Sequence, residues 1–397
     1  MPLPLIALFL AAFAFGTTEF VIAGVLPQVA DGLGVSIPVA GYLVSGYAIG
    51  IALGGPLLTL ATTNLARRAL LLGLVAAFTL GQVACALAPG FSTMLVLRVL
   101  IAVAHGSFFG IAMVVAVGLV APERRGFAVA LILSGLTVSN VIGVPLGAAI
   151  GNYLGWRATF WAMATLGVLA SLAIVLWVPG TDSSDSARPA LRRQIKVLGR
   201  QQAWTSLLIM LMLMIGQFVP FTYIAPMLQH VTGLDTAWIP WLLLLNGVGS
   251  TVGVFLGGRL ADWKLMPSLV AMLAMQVVVL LAFYLSSPYP VPMAVVIFVW
   301  GALNFAIGTP IQTRILSWTA DAPGLASSLI PSGFNVGIAL AAFLGAAMLN
   351  AGLGYRSLPL LGAAALALAV IVATLSHVWE RRSGNAPPLP VDAVAAE

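Results

Sequence analysis

Twelve runs of mostly apolar residues, each about 20 residues long, occupy most of this chain of 397 residues. About 20 apolar residues in a helix cross the hydrocarbon core of a bilayer. Lipid offers no hydrogen-bond partners, so unbroken apolar runs favour helices over the alternating strands of a membrane barrel. The sequence therefore predicts an all-α membrane protein with twelve transmembrane helices. The predicted limits are 4–26, 39–60, 70–88, 93–118, 127–150, 158–178, 204–226, 238–258, 267–286, 292–313, 325–349 and 357–377.

The charge content supports this class, because 7% of the residues are charged and 61% are hydrophobic. An ordinary soluble domain carries about a quarter charged residues. Cys85 is the one cysteine and lies in an apolar run, so we expect no intrachain disulfide, no metal site and no cofactor. The basic residues are dispersed over loops, so the net charge of +6 predicts no nucleic-acid partner.

The basic residues also predict the orientation. With a cytoplasmic N-terminus, fourteen of the 17 Lys and Arg residues fall on the cytoplasmic side, including Arg314 just after the tenth span. Arg157 and Arg356 fall outside, and Arg98 lies within a span. Cytoplasmic loops carry the excess of basic residues, so we expect a multi-pass protein of the bacterial inner membrane with both termini cytoplasmic.

The chain divides into two similar halves. Ser134-Gly135 in the fifth span matches Ser332-Gly333 in the eleventh, and Leu146-Gly147-Ala148-Ala149 matches Leu344-Gly345-Ala346-Ala347. Six spans per repeat give both halves one orientation, which is typical of a parallel repeat that rocks around a central site. The predicted domains are an N-terminal six-helix bundle (1–178), a cytoplasmic linker (179–203), a C-terminal six-helix bundle (204–377) and a disordered cytoplasmic tail (378–397).

Glu19 is the acid that the sequence places inside a span, whereas the other acids fall in predicted loops or tails. A carboxyl group at membrane depth costs about 3 kcal/mol to insert, which makes it a candidate functional group. Arg98 in the fourth span has a similar predicted depth, and His105 lies two helical turns deeper on the same face. We expect Glu19 and Arg98 to neutralise each other and the three residues to form a proton path.

A coupling group must change its protonation as its surroundings open and close. Loss of water favours the neutral form of a carboxyl group, and a nearby cation favours the ionised form. Movement that exposes Glu19, or that shifts it relative to Arg98, would therefore make it bind and release a proton. Each residue also has a structural interpretation. Glu19 could be a hydrogen-bonded packing acid, Arg98 could pin its helix to backbone carbonyls, and His105 with Gly106 could be a packing corner.

Polar and aromatic residues well inside the spans are candidates for substrate binding, and Phe15 and Phe218 suggest an apolar-lined pocket. The alternative for the amides is hydrogen bonding between helices. With no second buried acid, nothing favours a multiply charged cationic substrate. The candidates are Phe20, Tyr47, Phe109, Gln217, Tyr223, Asn246, Trp300, Asn304 and Asn335.

Two motifs are candidates for conformational change. Gly143, Pro145 and Gly147 in the fifth span combine a helix-breaking residue with small residues that allow close helix approach. After the eighth span, Gly258, Arg259 and Asp262 place a charge pair where the halves could meet, although a solvated loop is the alternative. The corresponding loop after the second span keeps the basic pair Arg67-Arg68.

These motifs resemble the major facilitator superfamily over about residues 4–377. Gly16-Thr17-Thr18-Glu19-Phe20, His105-Gly106-Ser107-Phe108-Phe109-Gly110, Gly143-Val144-Pro145 and Phe221-Thr222-Tyr223-Ile224-Ala225-Pro226 resemble the drug/proton antiporters of the arabinose-efflux-permease and chloramphenicol-exporter group. The resemblance implies that Glu19 is the proton-responsive carboxyl, that Arg98 is the arginine of the fourth helix and that Gly143, Pro145 and Gly147 form the antiporter motif. The loop that ends at Arg67-Arg68 departs from the family pattern because it lacks the usual acid.

The sequence therefore predicts a proton-coupled antiporter, not an enzyme. It would export a small, largely uncharged or lipophilic compound such as a drug, sugar or metabolite by alternating access, and it would act as a monomer. The expected partners are the small-molecule substrate, protons and the lipid bilayer. The alternatives are a proton-coupled symporter that imports a sugar or metabolite, and a non-transporting membrane sensor.

Overall fold

The computed structural model describes residues 3–62, 64–180, 199–320 and 323–383, with side chains of the last range from residue 329. All the regular structure in these residues is helical. The helices are α1 Leu3–Gly32, α2 Ile37–Ile49, α3 Gly55–Ala61, α4 Arg67–Ala86, α5 Phe91–Gly118, α6 Arg125–Val138, α7 Val144–Leu154, α8 Trp156–Trp177, α9 Gln201–Thr222, α10 Ile224–His230, α11 Ile239–Ser286, α12 Pro290–Trp318, α13 Pro323–Asn350 and α14 Leu358–Ser383.

These helices make twelve membrane crossings. Within the described ranges, eleven continuous helical segments are long and apolar enough to span a bilayer. The helix α11 has 48 residues and would be about 72 Å long if it were straight, more than twice the roughly 30 Å of hydrocarbon. Its backbone leaves the helical conformation at Lys264, so it contains the eighth and ninth spans. An even number of crossings places both chain ends on one face, called here the termini side, and the opposite face is the distal side.

Several helices extend beyond their predicted limits. Pro27 does not end the first helix, which continues to Gly32 because a packed membrane helix tolerates one lost backbone hydrogen bond. The tenth span includes Arg314, and the twelfth continues to Ser383, into the predicted tail. The seventh span begins at Gln201, inside the predicted linker. Most of that linker (181–198) and the rest of the tail (384–397) lie outside the described residues.

In the described part of the chain, two spans are interrupted by a π-helical turn that ends two residues before a proline. Gly50–Gly54 precedes Pro56 in the second span, and Ser139–Gly143 precedes Pro145 in the fifth. A proline lacks the N–H that a regular helix would use, and a π turn absorbs the resulting break in the ladder. Both turns lie against the other half of the chain. The carbonyl of Ala52 accepts a hydrogen bond from Ser332 Oγ at 2.9 Å, and the carbonyl of Asn140 lies against Gly247.

A row of glycines brings the fifth span against the first. Gly143, Gly147 and Gly151 are spaced four residues apart, and a Cβ at each would collide with Thr17, Val21 and Val25, respectively. Residues four apart share one face of a helix, so the row forms a flat seam along α7. The seam fixes α1, and therefore the side chains of α1, at the centre of the first half.

The two halves meet through spans two and eleven, five and eight, and one and seven. Ser45 Oγ donates to the carbonyl of Ala339 at 3.0 Å. Near the distal side, Asn152 Nδ2 donates to the carbonyl of Thr236 at 3.0 Å, and Gln28 Nε2 donates to Asn152 Oδ1 at 2.5 Å. The halves are thus joined across the distal part of the bundle.

We expect Gly147→Ala to lower the melting temperature, because the added methyl group collides with the stiff side chain of Val21. Overpacking of this kind costs about 1–3 kcal/mol. Gly73→Ala is the matched control, since a Cβ there meets open space and alanine favours a helix by up to about 1 kcal/mol. Thermal unfolding of the purified variants in detergent would measure both. Equal melting temperatures would contradict the seam.

Candidate functional site

Glu19 lies near the middle of the membrane, deeper than the sequence predicted. It is 13 residues from the distal end of α1 at Gly32, or about 20 Å. His105 is 14 residues from the distal end of α5 at Phe91, or about 21 Å. The two side chains are therefore level, and Glu19 Oε2 lies 3.8 Å from His105 Nε2. The prediction that His105 lies deeper than Glu19 was wrong, because it measured depth from Leu26 rather than from Gly32.

Aromatic side chains surround the imidazole of His105. Its Nδ1 shares a hydrogen bond of 2.9 Å with the hydroxyl of Tyr47. The rings of Phe15 and Phe109 lie 5.2 and 5.3 Å from the imidazole, between centroids. The side chain of His105 is 4% exposed and that of Glu19 is 10% exposed. The aromatic rings thus shield the imidazole, and the Glu19 carboxyl group lies beside them and is slightly more exposed.

Arg98 is buried and does not form an ion pair with Glu19 among the described contacts. Its Nε donates to the carbonyl of Leu43 at 3.4 Å, and its terminal nitrogens donate to the carbonyl of Thr18 at 3.4 and 3.5 Å. The guanidinium lies over the ring of Tyr47, with Cζ 4.4 Å from the centroid. Carbonyl and cation–π contacts, rather than a direct ion pair with the carboxylate, satisfy the buried guanidinium.

A cavity lies between the halves beside Glu19. Aromatic rings of both halves meet there, with Phe20 5.8 Å from Phe218 and 6.3 Å from Phe221, between centroids. Of the predicted substrate residues, Phe20 and Tyr47 line this cavity. Val44, Ala48 and Ile338 were not predicted to line a pocket, although Val44 lies three residues from Tyr47 on the same helix face. The lining is Glu19, Phe20, Ile22, Ala23, Val44, Tyr47, Ala48, Phe218, Phe221, Thr222 and Ile338.

Some predicted substrate residues lie elsewhere and have contacts that hold helices together. The hydroxyl of Tyr223 donates to the carbonyl of Ala342 at 2.8 Å, and its ring is wedged between Gly41 and Gly345. Asn246 Nδ2 donates to the carbonyl of Ile297 at 3.1 Å. Both residues connect spans, as the alternative interpretation proposed for the polar candidates.

The remaining candidates surround the cavity lining. Phe109 contacts the imidazole, and the ring of Trp300 lies 6.1 Å from that of Phe221. Gln217 and Asn335 are buried, and Asn304 is partly exposed on α12. Within the described residues, both amide atoms of Gln217, Oδ1 of Asn335 and Nε1 of Trp300 are buried without a hydrogen-bond partner.

The two predicted conformational motifs differ in their surroundings. Gly143 and Gly147 are packed into the seam against α1, and Pro145 follows the π turn. At the termini side, Arg259 and Asp262 are exposed and, in the described part of the chain, no ion pair joins them. Arg67 is partly buried, and Arg68 donates to the carbonyl of Val175 at 2.6 Å. Gly258 has open space at its Cβ position.

A second buried arginine was missed by the sequence analysis. Arg314, assigned to a loop, is fully buried in α12 and pairs with Glu380 of α14 at 2.5 Å. Ser206 Oγ and Ser376 Oγ also accept from it, at 2.9 and 2.7 Å, and Met266 Sδ contacts it. Glu380 is therefore a helical, ion-paired acid rather than part of a tail. The four-residue spacing of Ser376 and Glu380 is the signal that could have indicated this cluster.

Glu19, His105 and Tyr47 are neighbouring groups that can each hold a hydrogen ion, with a gap of 3.8 Å between Glu19 Oε2 and His105 Nε2. The carboxyl group of Glu19 borders the cavity, and the imidazole of His105 faces that carboxyl group through Nε2. The hydroxyl of Tyr47 contacts the other ring nitrogen, Nδ1. Such neighbouring groups can take up or release a proton at the surface that separates the two halves.

Comparison with known proteins supports the same family. A family model described as Major Facilitator Superfamily matches residues 8–317. The inner membrane transport protein YdhP of Escherichia coli K12 is 40% identical over 373 residues, 94% of this chain and 95% of YdhP. The chloramphenicol resistance protein of Streptomyces lividans is 36% identical over 352 residues, 88% of this chain and 90% of that protein.

A solved structure shares the fold. It is the crystal structure of a bacterial homologue of the human lysosomal transporter Spinster, in an inward-facing and unoccupied conformation. It is 18% identical, covers 94% of both chains and superposes with a TM-score of 0.71. The predicted resemblance and the predicted helical membrane fold are thus confirmed, and the family consists of transporters. The chain belongs to the major facilitator superfamily.

Proposed function

We propose that this transporter is a proton-coupled exporter in which Glu19 carries the proton. The observation that supports the proposal most directly is the position of the Glu19 carboxyl group, which lines the cavity between the halves and lies 3.8 Å from His105. A substrate in that cavity and a proton on that carboxyl group share one small space. Occupation by one therefore changes the free energy of binding the other, which is the requirement for coupling.

The neighbouring groups can adapt to both protonation states of Glu19. When Tyr47 donates to Nδ1, the neutral imidazole of His105 carries its hydrogen on Nε2, facing an ionised carboxylate. When Glu19 is protonated, the other tautomer presents a free Nε2 to it. At 3.8 Å the two groups do not form a direct hydrogen bond, so a small approach or one water would complete the contact. Arg98 holds Tyr47 in place through its stacking contact.

The chemistry of the cavity lining and the name of one relative support export of an uncharged or lipophilic compound. The lining is apolar and aromatic apart from Glu19, Tyr47 and Thr222, so it suits a compound with an apolar body. The related protein of Streptomyces lividans is named for chloramphenicol resistance. Chloramphenicol is therefore the first compound to test, within a susceptibility and efflux screen that also includes sugars and nucleosides.

We expect Glu19→Gln to abolish gradient-driven transport, because an amide cannot carry the proton. In proteoliposomes, an antiporter accumulates chloramphenicol in an acidic lumen, whereas a symporter accumulates it when the lumen is alkaline. One proton crossing one pH unit provides about 1.4 kcal/mol, enough for about a tenfold substrate gradient. The variant should still exchange chloramphenicol across the membrane without a gradient.

Glu123→Gln is the matched control for this experiment. Glu123 is exposed in the short 3₁₀ turn before α6, so the same chemical change should leave transport unaltered. If the parent and Glu19→Gln accumulated chloramphenicol equally under a pH gradient, Glu19 would not be the coupling residue. If chloramphenicol flux through the parent protein did not depend on the pH gradient, transport would not be coupled to protons.

Tyr47→Phe should weaken coupling while preserving the cavity shape. The change removes the hydroxyl that bonds His105 Nδ1 at 2.9 Å, and an unpartnered buried nitrogen costs about 1–3 kcal/mol of stability. We expect a lower melting temperature and a several-fold smaller accumulation ratio across a pH series. Tyr42→Phe is the control, because Tyr42 is on the same helix and packs against Phe343. Equal losses in the two variants would contradict a specific role for Tyr47.

A further inference from the structure

The chain repeat places an amide where the other half has its carboxyl group. Glu19-Phe20-Val21 in the first span matches Gln217-Phe218-Val219 in the seventh, the first span of the second half. Glu19 and Gln217 are each 16 residues beyond the first residue of their helices, Leu3 and Gln201. Each is about 24 Å from the termini-side end of its helix. Sequence and depth therefore identify Gln217 as the counterpart of Glu19.

Gln217 lies next to the cavity, although it is not one of the residues that line it. Phe221, four residues further along, lines the cavity, and residues four apart share a face. The amide is therefore one turn closer to the termini side than Phe221. Gln217 is fully buried, and within the described residues neither its oxygen nor its nitrogen has a hydrogen-bond partner. Buried amides are normally hydrogen-bonded, so this one requires an explanation.

Asn335 has the same relation to the cavity on the eleventh span. Ile338 lines the cavity, and Asn335 lies one turn closer to the termini side on the same face. Asn335 Nδ2 donates to the carbonyl of Pro331 at 3.0 Å, but Oδ1 has no partner among the described residues. The rings that follow Gln217 and precede Asn335 meet, with Phe218 6.1 Å from Phe334 between centroids. The two amides therefore border one aromatic cluster.

We propose that Gln217, assisted by Asn335, binds the hydrogen-bonding groups of an uncharged substrate in the second half of the transporter. The free amide oxygen and nitrogen of Gln217 match a substrate that carries both a donor and an acceptor, such as hydroxyl or amide groups, on an aromatic or apolar body. The repeat thus separates two tasks, with the proton on Glu19 and the substrate on Gln217. This inference rests on the proposed function for the existence of a transported substrate.

Gln217→Met tests the inference, because methionine keeps the length of the side chain and removes its hydrogen bonds. Binding of radiolabelled chloramphenicol to the full chain in nanodiscs should weaken roughly tenfold, the effect of one or two neutral hydrogen bonds. The melting temperature without substrate should stay the same or rise, since the amide has no partner to lose. Gln276→Met is the control, because Gln276 Nε2 donates to the carbonyl of Trp300 at 3.4 Å. Loss of this hydrogen bond should lower the melting temperature and leave chloramphenicol binding unchanged.

Gln217→Glu is the second variant, and it decides the matter if Gln217→Met does not fold. A carboxylate at this position should create binding of the lipophilic cation tetraphenylphosphonium, about tenfold tighter than in the parent, whereas Gln276→Glu should not. Unchanged chloramphenicol binding in Gln217→Met, or no gain of cation binding in Gln217→Glu, would overturn the inference. So would a parent that does not bind chloramphenicol.

The failure of this inference is distinguishable from failure of proton coupling. Binding at equilibrium in nanodiscs requires no gradient, so it reports on Gln217 whether or not Glu19 couples transport to protons. Conversely, gradient-dependent accumulation that disappears in Glu19→Gln would support coupling even if the Gln217 variants bound chloramphenicol like the parent.

Discussion

Charged and polar side chains at membrane depth need partners from the protein itself, because hydrocarbon provides none. That constraint arranges the first, second and fourth spans around Arg98. The guanidinium uses the carbonyls of Leu43 and Thr18 and lies over Tyr47. Tyr47 contacts His105, and His105 faces Glu19. One buried cation therefore positions a line of titratable groups that ends at the cavity.

The surface between the halves combines tight packing with an opening. Gly247 of the eighth span allows the carbonyl of Asn140 in the fifth span to approach closely, and Tyr223 fills the distal side between Gly41 and Gly345. The π turns before Pro56 and Pro145 lie at this same surface, where the carbonyl of Ala52 accepts a bond from the other half. A contact made by one hydroxyl and one carbonyl is weak enough to break during a rocking motion. The second and eleventh spans can therefore join the halves through this contact and separate when it breaks.

The two halves share a fold and differ in chemistry. The first half satisfies Arg98 with carbonyls and an aromatic face, whereas the second satisfies Arg314 with Glu380 and two serine hydroxyls. Only the first places an acid beside the cavity; the matching position of the second is the amide of Gln217. A carboxyl group can change its charge at ordinary pH and an amide cannot. The difference at one pair of equivalent positions supports the proposal that Glu19 binds the proton and Gln217 binds the substrate.

The sequence by itself determined the helical membrane fold and the twelve crossings, and it placed the carboxyl group of Glu19 inside a span, because apolar run length and the cost of a buried charge are local properties. It also indicated Arg98, His105, Tyr47 and the glycine motif. Tertiary structure decided which of these groups meet. Continuation of α1 past Pro27 placed Glu19 level with His105 instead of Arg98, and extension of α12 and α14 joined Arg314 to Glu380. The end of a helix and the depth of its side chains in the membrane depend on packing against neighbouring helices. A short stretch of sequence does not contain those contacts.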